Sequence, residues 1–223
     1  MNEIRLTPRL LAAAELVEPG ARVADVGTDH GYLPVWLRQK ERSPYVIASD
    51  LRPDPLASAR ASAARWGVRG IDFRLCPGLE GIGPQEVDTV VIAGMSGETM
   101  AGILADAAWD WTGKRLILQP MTKRPELLSW LYENGLHLCR ETLVPEQEKL
   151  YWVLCAEAGR EVMPRPAHLW AGFIETEYAR RLRGRLVKAR EGLQNAREPR
   201  EEELGRIQAL LEDMEDAYGW RDL

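Results

Sequence analysis

The sequence predicts an α/β fold: a mostly parallel sheet of seven strands whose last strand runs antiparallel, followed by an antiparallel helical hairpin. Three observations carry that reading. Five short β-prone runs lie between residues 23 and 118, with a helical pattern expected between every early pair of strands. Residues 136–143 and 150–157 then read as two strands joined only by Pro145-Glu146-Gln147-Glu148, a link too short for a crossover and therefore antiparallel. After Gly159 the composition changes: Pro164 and Pro166 mark a linker, and two long helical patterns follow.

Thr7-Pro8 opens a helix, with Thr7 as N-cap, Pro8 at its first position and an apolar stripe through Leu10, Leu11, Ala14 and Val17. A strand is expected over 23–26, a helix over 32–40, and a second strand over 45–49 ending in Asp50. The alanine-rich stretch 53–66 is helical and stops at Gly67; 71–75 alternates as a third strand before Cys76-Pro77-Gly78. The dense apolar run 87–93 fits a strand buried on both faces, broken at Gly94-Met95-Ser96-Gly97, with a helix from there to 107. Residues 115–118 form the fifth strand and end in Gln119-Pro120; a helix over 125–134 closes at Gly135. In the tail, helices are expected over 167–196 and 200–218, broken at Pro199. Leu204, Ile207, Leu211, Met214 and Tyr218 in one, and Tyr178, Leu182, Leu186, Ala189 and Leu193 in the other, recur at coiled-coil spacing.

At 223 residues the chain can hold one α/β domain, expected over 1–160, and a helical appendage over 161–223. With 29 Lys and Arg against 34 Asp and Glu, a net charge of −5 gives no global pull on nucleic acid. Cys76, Cys139 and Cys155 are scattered, odd in number and without a CxxC, so a reduced, cytoplasmic protein is expected; Cys139 and Cys155 are assigned to the core. The scattered histidines and cysteines offer no ligand set, and no metal is expected. No apolar leader or membrane-length apolar run occurs, and a monomer without membrane attachment is expected.

The loops after the strands carry the chemistry, because ligands of open α/β sheets sit at the carboxyl ends of the strands. The first reads D-x-G-x-D-x-G through Asp25, Gly27, Asp29 and Gly31, not the G-x-G-x-x-G of a pyrophosphate site. Such an acidic, glycine-spaced loop suits a cofactor with cationic and hydroxyl groups, such as S-adenosylmethionine. Asp50 lies about twenty residues further on, where an acid accepts from both ribose hydroxyls; a helix cap is the alternative. Asp25 either holds the glycine turn or meets the ligand, and His30 is either a general base or bonded to loop backbone. Gly94 to Gly97 allow close approach to a flat base, or form a tight strand-to-helix turn with Ser96 as N-cap, two readings that are compatible. Gln119 presents an amide to a substrate edge or to solvent. Arg180, Arg181, Arg183, Arg185, Lys188 and Arg190 form a run without an acid, fit either for phosphate contact or for pairing with the acidic second helix. Trp170 and Phe173 are assigned to interface packing rather than base stacking.

Leu-Thr-Pro-Arg-Leu near the start, Ala-Asp-Val-Gly-Thr-Asp-His-Gly-Tyr-Leu-Pro (24–34), Ile-Ala-Gly-Met-Ser-Gly (92–97), Arg-Leu-Ile-Leu-Gln-Pro (115–120) and Lys149-Leu150-Tyr151 together resemble the bacterial tRNA adenine-22 N1-methyltransferase family, also called the TrmK family. The resemblance covers essentially the whole chain. It implies a Rossmann-like class I methyltransferase sheet, S-adenosylmethionine as cofactor and tRNA as partner. It implies cofactor contacts at Asp25, Gly27, Asp29, Asp50, Gly78, Ala93 and Gly94, with Gly31, Tyr32, Leu51, Pro77, Leu79 and Met95 beside them and Arg9 facing the same cleft. Met95, Ser96, Gly97 and Gln119 are then expected to hold the target base, Asp29 or His30 to take a proton, and the tail residues Arg180, Arg181, Arg183, Arg185 and Lys188 to contact RNA. Three positions depart from the family pattern: Cys76-Pro77-Gly78 replaces Gly-Asp-Gly, Ser96 replaces a glycine, and Met121 replaces an asparagine. They keep two alternatives open, a methyltransferase for another RNA or a small molecule, and a non-catalytic binding module.

Overall fold

Short β-branched runs alternate with leucine- and alanine-rich stretches, and the chain folds accordingly into a sheet with helices packed on it. The structure, a computed structural model, describes residues 3–196 and 200–220, so the break expected at Pro199 lies outside the described residues. The chain divides into two compact units, Met1–Glu161 and Val162–Leu223.

The first unit runs α1 (Pro8–Leu16), β1 (Val23–Val26), α2 (Tyr32–Gln39), β2 (Val46–Asp50), α3 (Pro53–Arg65), β3 (Ile71–Leu75), β4 (Thr89–Ser96), α4 (Gly97–Ala107), β5 (Arg115–Thr122), α5 (Arg124–Glu133), β6 (Leu136–Glu146) and β7 (Lys149–Ala158). The strand order is β3-β2-β1-β4-β5-β7-β6; the first five strands run parallel, and β7 is antiparallel to both β5 and β6. Val90, Val91 and Ile92 of β4 and Leu116, Ile117 and Leu118 of β5 are fully buried, as strands covered on both faces require. Each such side chain contributes roughly 1.5–3 kcal/mol by leaving water. Ala13, Ala14 and Val17 bring α1 onto Val23, Val91, Ile117 and Val153, which fixes the helix under the sheet centre.

Three expectations fail, each for a local reason. β4 does not stop at Ala93: register shifts at Ala93/Met95 and Met95/Ser96 absorb Gly94, and the strand continues to Ser96 beside an equally prolonged β5. No helix joins β3 to β4 among the described residues; Pro77, Gly78, Gly81, Gly83 and Pro84 crowd that connection. Thr7 is the N-cap of α1 and Pro8 its first residue, as expected, although the Thr7 side chain makes no cap bond. Cys139 is exposed rather than in the core, because it is the extra residue of a bulge between Leu138 and Arg140. That bulge also corrects the expectation of scattered thiols, since ligand atoms of Cys139, Cys155 and Glu157 lie within 4.8 Å of one another.

In the second unit the expected first helix is two, α6 (Pro166–Ala171) and α7 (Glu177–Gln194), separated at Gly172, whose φ of 94° and ψ of 164° a helix cannot contain. Thr176 then caps α7 by accepting from the Ala179 N–H at 3.2 Å. α8 (Glu201–Tyr218) runs antiparallel to α7, with Arg183 bonded to Glu215 and Arg190 to Gln208. Ala179, Leu182 and Met214 form its buried seam with Tyr178, Leu186 and Tyr218, whereas the expected seam residue Ala189 is exposed. Trp170 and Phe173 are about 40% exposed, and no helix among the described residues is long and apolar enough to cross a membrane.

Candidate active site

Strand order reverses at β1, which has β2 on one side and β4 on the other, so the crevice above their carboxyl ends is where an open α/β sheet receives a ligand. The first loop is held there by backbone hydrogen bonds. The Gly27 and Thr28 N–H groups donate to the Ser49 carbonyl at 2.8 and 2.9 Å, and the Gly31 N–H donates to Thr28 at 2.8 Å. Gly31 begins α2 with φ at 70°, and a Cβ there would lie 2.8 Å from the Ala59 Cβ. Only glycine lets α3 come this close to the loop.

Two carboxylates rise into this crevice. Asp25 is buried, and burial together with the neighbouring Asp50 charge pushes its carboxyl up to about 7. No cation pairs with it among the described residues. Asp50, 9% exposed, does not cap α3, where Arg52 is the N-cap residue. Its Oδ1 instead accepts from the Arg52 N–H at 2.8 Å, which fixes the carboxylate and leaves Oδ2 free to accept from a ligand. A buried acid with a displaced pKa beside a second oriented acid, above glycine turns, is the signature of a binding site rather than of a core.

Asp29 stands in the left-handed region with φ at 46°, uncommon for a residue with a side chain. It and His30 are exposed, their carboxylate and imidazole 3.7 Å apart, and the His30 ring stacks on Tyr32 at 5.4 Å. His30 is thus set by its ring neighbour and a carboxylate, and among the described residues it makes no hydrogen bond to loop backbone. Across the crevice, the Met95 side chain covers Gly27: a Cβ on Gly27 would lie 2.2 Å from the Met95 Cε. Gly94, exposed with φ at 83°, has no atom within 4 Å of where a Cβ would be. Backbone there is open to a flat ligand.

The remaining expected residues divide. Ser96 is a helix cap, its Oγ accepting from the Thr99 N–H at 3.1 Å, and Gly97 packs so tightly that a Cβ would lie 1.9 Å from the Lys123 carbonyl oxygen. Ala93 is half-buried beside Gln119 in the β4–β5 register. Gln119 is not a surface amide: it is 1% exposed, its Nε2 donates to the Pro120 carbonyl at 3.1 Å, and its Oε1 has no hydrogen-bond partner. A buried acceptor left unpaired normally has a function or a missing partner. Pro77 is exposed, Gly78 has φ at 51° against Ile103, and Leu79 turns its side chain into the core. Arg9 does not enter the crevice freely; it pairs with Glu146 and lies over the Tyr151 ring, clamped to the β6–β7 turn. The sequence reading passed over Leu75. It is 60% exposed at the carboxyl end of β3, and with Leu51 at 67% it gives the crevice an apolar rim. A leucine closing the alternating strand 71–75 was the available signal.

In the second unit, Arg180 pairs with Glu175 at 2.6 Å, Arg181 with Glu177 at 2.5 Å and Arg183 with Glu215 at 3.3 Å. Arg185 and Lys188 are exposed and outside any described ion pair. Half of the basic run is therefore neutralised by acids on its own unit, while Arg185 and Lys188, with Arg190 bonded only to the neutral Gln208, keep their charge available.

Residues 6–154 match a family model described as a methyltransferase domain. A tRNA (adenine(22)-N(1))-methyltransferase of Bacillus subtilis is 39% identical over 161 residues, 71% of this chain and 68% of the relative. Among solved structures, the B. subtilis m1A22 tRNA methyltransferase TrmK aligns with a TM-score of 0.87 at 28% identity, over 96% of this chain and 99% of that one. Streptococcus pneumoniae Sp1610 in complex with S-adenosyl-L-methionine aligns with a TM-score of 0.83 at 26% identity, over 96% and 99%.

Proposed function

We propose a reaction from the premise that the chain belongs to the tRNA (adenine(22)-N(1))-methyltransferase family: it transfers a methyl group from S-adenosylmethionine to N1 of adenine 22 in tRNA. The observation that carries the reading is the pair of buried carboxylates over the glycine turns of β1: Asp25 has no described cation partner, and Asp50 meets only the exposed Arg52 guanidinium, at 3.8 Å on Oδ1. Their chemistry fits the cofactor. Asp50 Oδ2 is an acceptor for ribose hydroxyls, Asp25 supplies negative charge toward an ammonium or sulfonium, and Leu51 and Leu75 offer apolar contact to the adenine.

When bound, the cofactor supplies an electrophilic methyl carbon; the protein's task is positioning, since adenine N1 already carries a lone pair. The target base must leave its stack to expose the Watson–Crick edge. The open backbone at Gly94 receives its face, and Gln119 Oε1 is the unpaired acceptor for its exocyclic amine. Ser96 and Gly97 serve this indirectly, by fixing where α4 begins. Asp29 and His30, exposed at the mouth, take the proton that the amine gives up after methylation. Residues 1–160 form the catalytic domain and 161–223 the tRNA-recognition element, a helical hairpin of coiled-coil type in which Arg185 and Lys188 meet phosphate.

The test is incubation with labelled S-adenosylmethionine and unmodified tRNA, followed by nucleoside analysis. N1-methyladenosine is expected, and it should vanish when the tRNA carries guanosine at position 22. Cofactor binding without N1-methyladenosine would instead favour another RNA or a small molecule, the reading to which Pro77, Ser96 and Met121 point.

A further inference from the structure

At the other end of the strands from the cofactor crevice, a pocket of about 350 Å³ opens beneath α1, bounded by Val17, Arg42, Arg115, Cys139, Cys155 and Glu157. Cys155 pairs with Ile117 on β5, and Glu157 pairs with Arg115, so two residues of β7 on one face of the sheet present a thiol and a carboxylate to the same space. Regular pairing would set one β6 residue opposite Cys155. The bulge at Leu138/Arg140 inserts Cys139 as well, and turns its sulfur to within 3.3 Å of the Cys155 carbonyl. Ligand atoms of Cys139, Cys155 and Glu157 thereby fall within 4.8 Å of one another. Arg115 engages only one oxygen of Glu157, through Nε at 2.8 Å and Nη2 at 2.5 Å, leaving Oε2 available.

We propose that Cys139, Cys155 and Glu157 form a binding site for a thiophilic divalent cation, for which zinc is the natural fit. Two sulfurs and one carboxylate, with solvent reaching the site past the exposed Cys139, make a three-ligand set with one open position. Sulfur donors select against magnesium and calcium, which prefer oxygen. On binding, each S–H bond breaks, both protons pass to solvent, and two thiolates and the carboxylate coordinate the ion without any redox change. Their surplus negative charge faces the Arg115 guanidinium, which already orients Glu157 and is shared with Glu18 at 2.6 Å. The ion would tie β6 to β7 at the root of the hairpin.

The experiment is titration of the reduced, chelator-treated full-length protein with cobalt(II) as a spectroscopic stand-in, then competition with zinc. One equivalent of cobalt with thiolate-to-metal charge-transfer absorption, displaced by zinc, is the expected result. Cys139→Ala, chosen because Cys139 is exposed and its loss spares the core, should lose at least about half of that absorption and weaken zinc binding by at least about tenfold with circular dichroism unchanged. Glu157→Gln should keep the absorption and weaken the affinity. Absence of thiolate absorption in the wild type, equal affinity in Cys139→Ala, or recovery of a Cys139–Cys155 disulfide in place of metal uptake would overturn the site.

Discussion

The two ends of this sheet hold their charges differently. At the amino ends, Arg22 bonds Asp88 through Nε at 3.0 Å and Nη2 at 2.6 Å, and Arg115 bonds Glu157 at 2.5 Å. At the carboxyl ends, Asp25 meets no described cation and Asp50 reaches a guanidinium nitrogen only at 3.8 Å. Arg22 and Arg115 hold the amino end by ion pairs, whereas the carboxyl ends of β1 and β4 are shaped by close backbone approach at Gly31 and Gly97. Charge held by glycine geometry stays free for a ligand; charge held by a partner is spent on the fold.

The largest test of that contrast is Gly97→Ala. Its Cβ would stand 1.9 Å from the Lys123 carbonyl oxygen, a backbone atom that cannot rotate away. A loss of about 4 kcal/mol, or failure to fold, is expected in urea titration. A loss below about 1 kcal/mol would show that the carboxyl end does not depend on glycine packing.

Asp25→Asn comes next and has a definite sign. The folded carboxyl titrates near 7 because burial disfavours its charge, whereas the unfolded group titrates near 3.8. Below the unfolded value both states are protonated. As pH rises through that window the unfolded chain ionises first, so wild-type stability falls toward pH 7. The Asn variant lacks this slope and should gain on the wild type by about 2–4 kcal/mol between pH 4 and 7. Parallel curves for the two proteins would mean that Asp25 is already ionised and solvated.

Asp50→Ala probes the freer oxygen. Loss of a charge-assisted bond to a hydroxyl is worth about 1.5–3 kcal/mol, so calorimetry should show cofactor affinity reduced by roughly ten- to a hundredfold. Unchanged affinity would remove Asp50 from the site.

What the sequence made legible follows the same division. Asp25, Gly27, Gly31 and Asp50 could be read because spacing along one strand–loop–helix unit fixes their placement. Arg9 could not, since its clamp on Glu146 joins residues 137 apart. The continuation of β4 past Gly94 escaped because glycine signals a break, while pairing with β5 turned that break into a bulge. Cys139 and Cys155 looked scattered for a related reason: the bulge that joins them depends on the register of β6 and β7, which no local pattern states. Whether Gln119 faces a substrate edge or solvent could not be read, because its burial is imposed by neighbouring strands. Local geometry was legible, and pairing across the sheet was not.

The smallest effect belongs to the paired end. Asp88→Asn removes one partner of Arg22, whose guanidinium holds the Asp88 carboxyl down to about 2. A depressed carboxylate stabilises the fold above its unfolded value, near 3.8, and loses that contribution as pH falls through 2. Because both side chains are more than 40% exposed, solvent screening reduces the benefit to about 1 kcal/mol or less at pH 7. Wild type and variant should therefore differ slightly at pH 7, converge by pH 2, and converge further as salt is added. The Asp25 and Asp88 gaps then move in opposite directions with pH: acidification closes the stability deficit of a carboxylate buried without a cation and removes the benefit of one that is paired. If Asp88→Asn cost more at low pH than at neutral pH, the amino end would not be held by this ion pair.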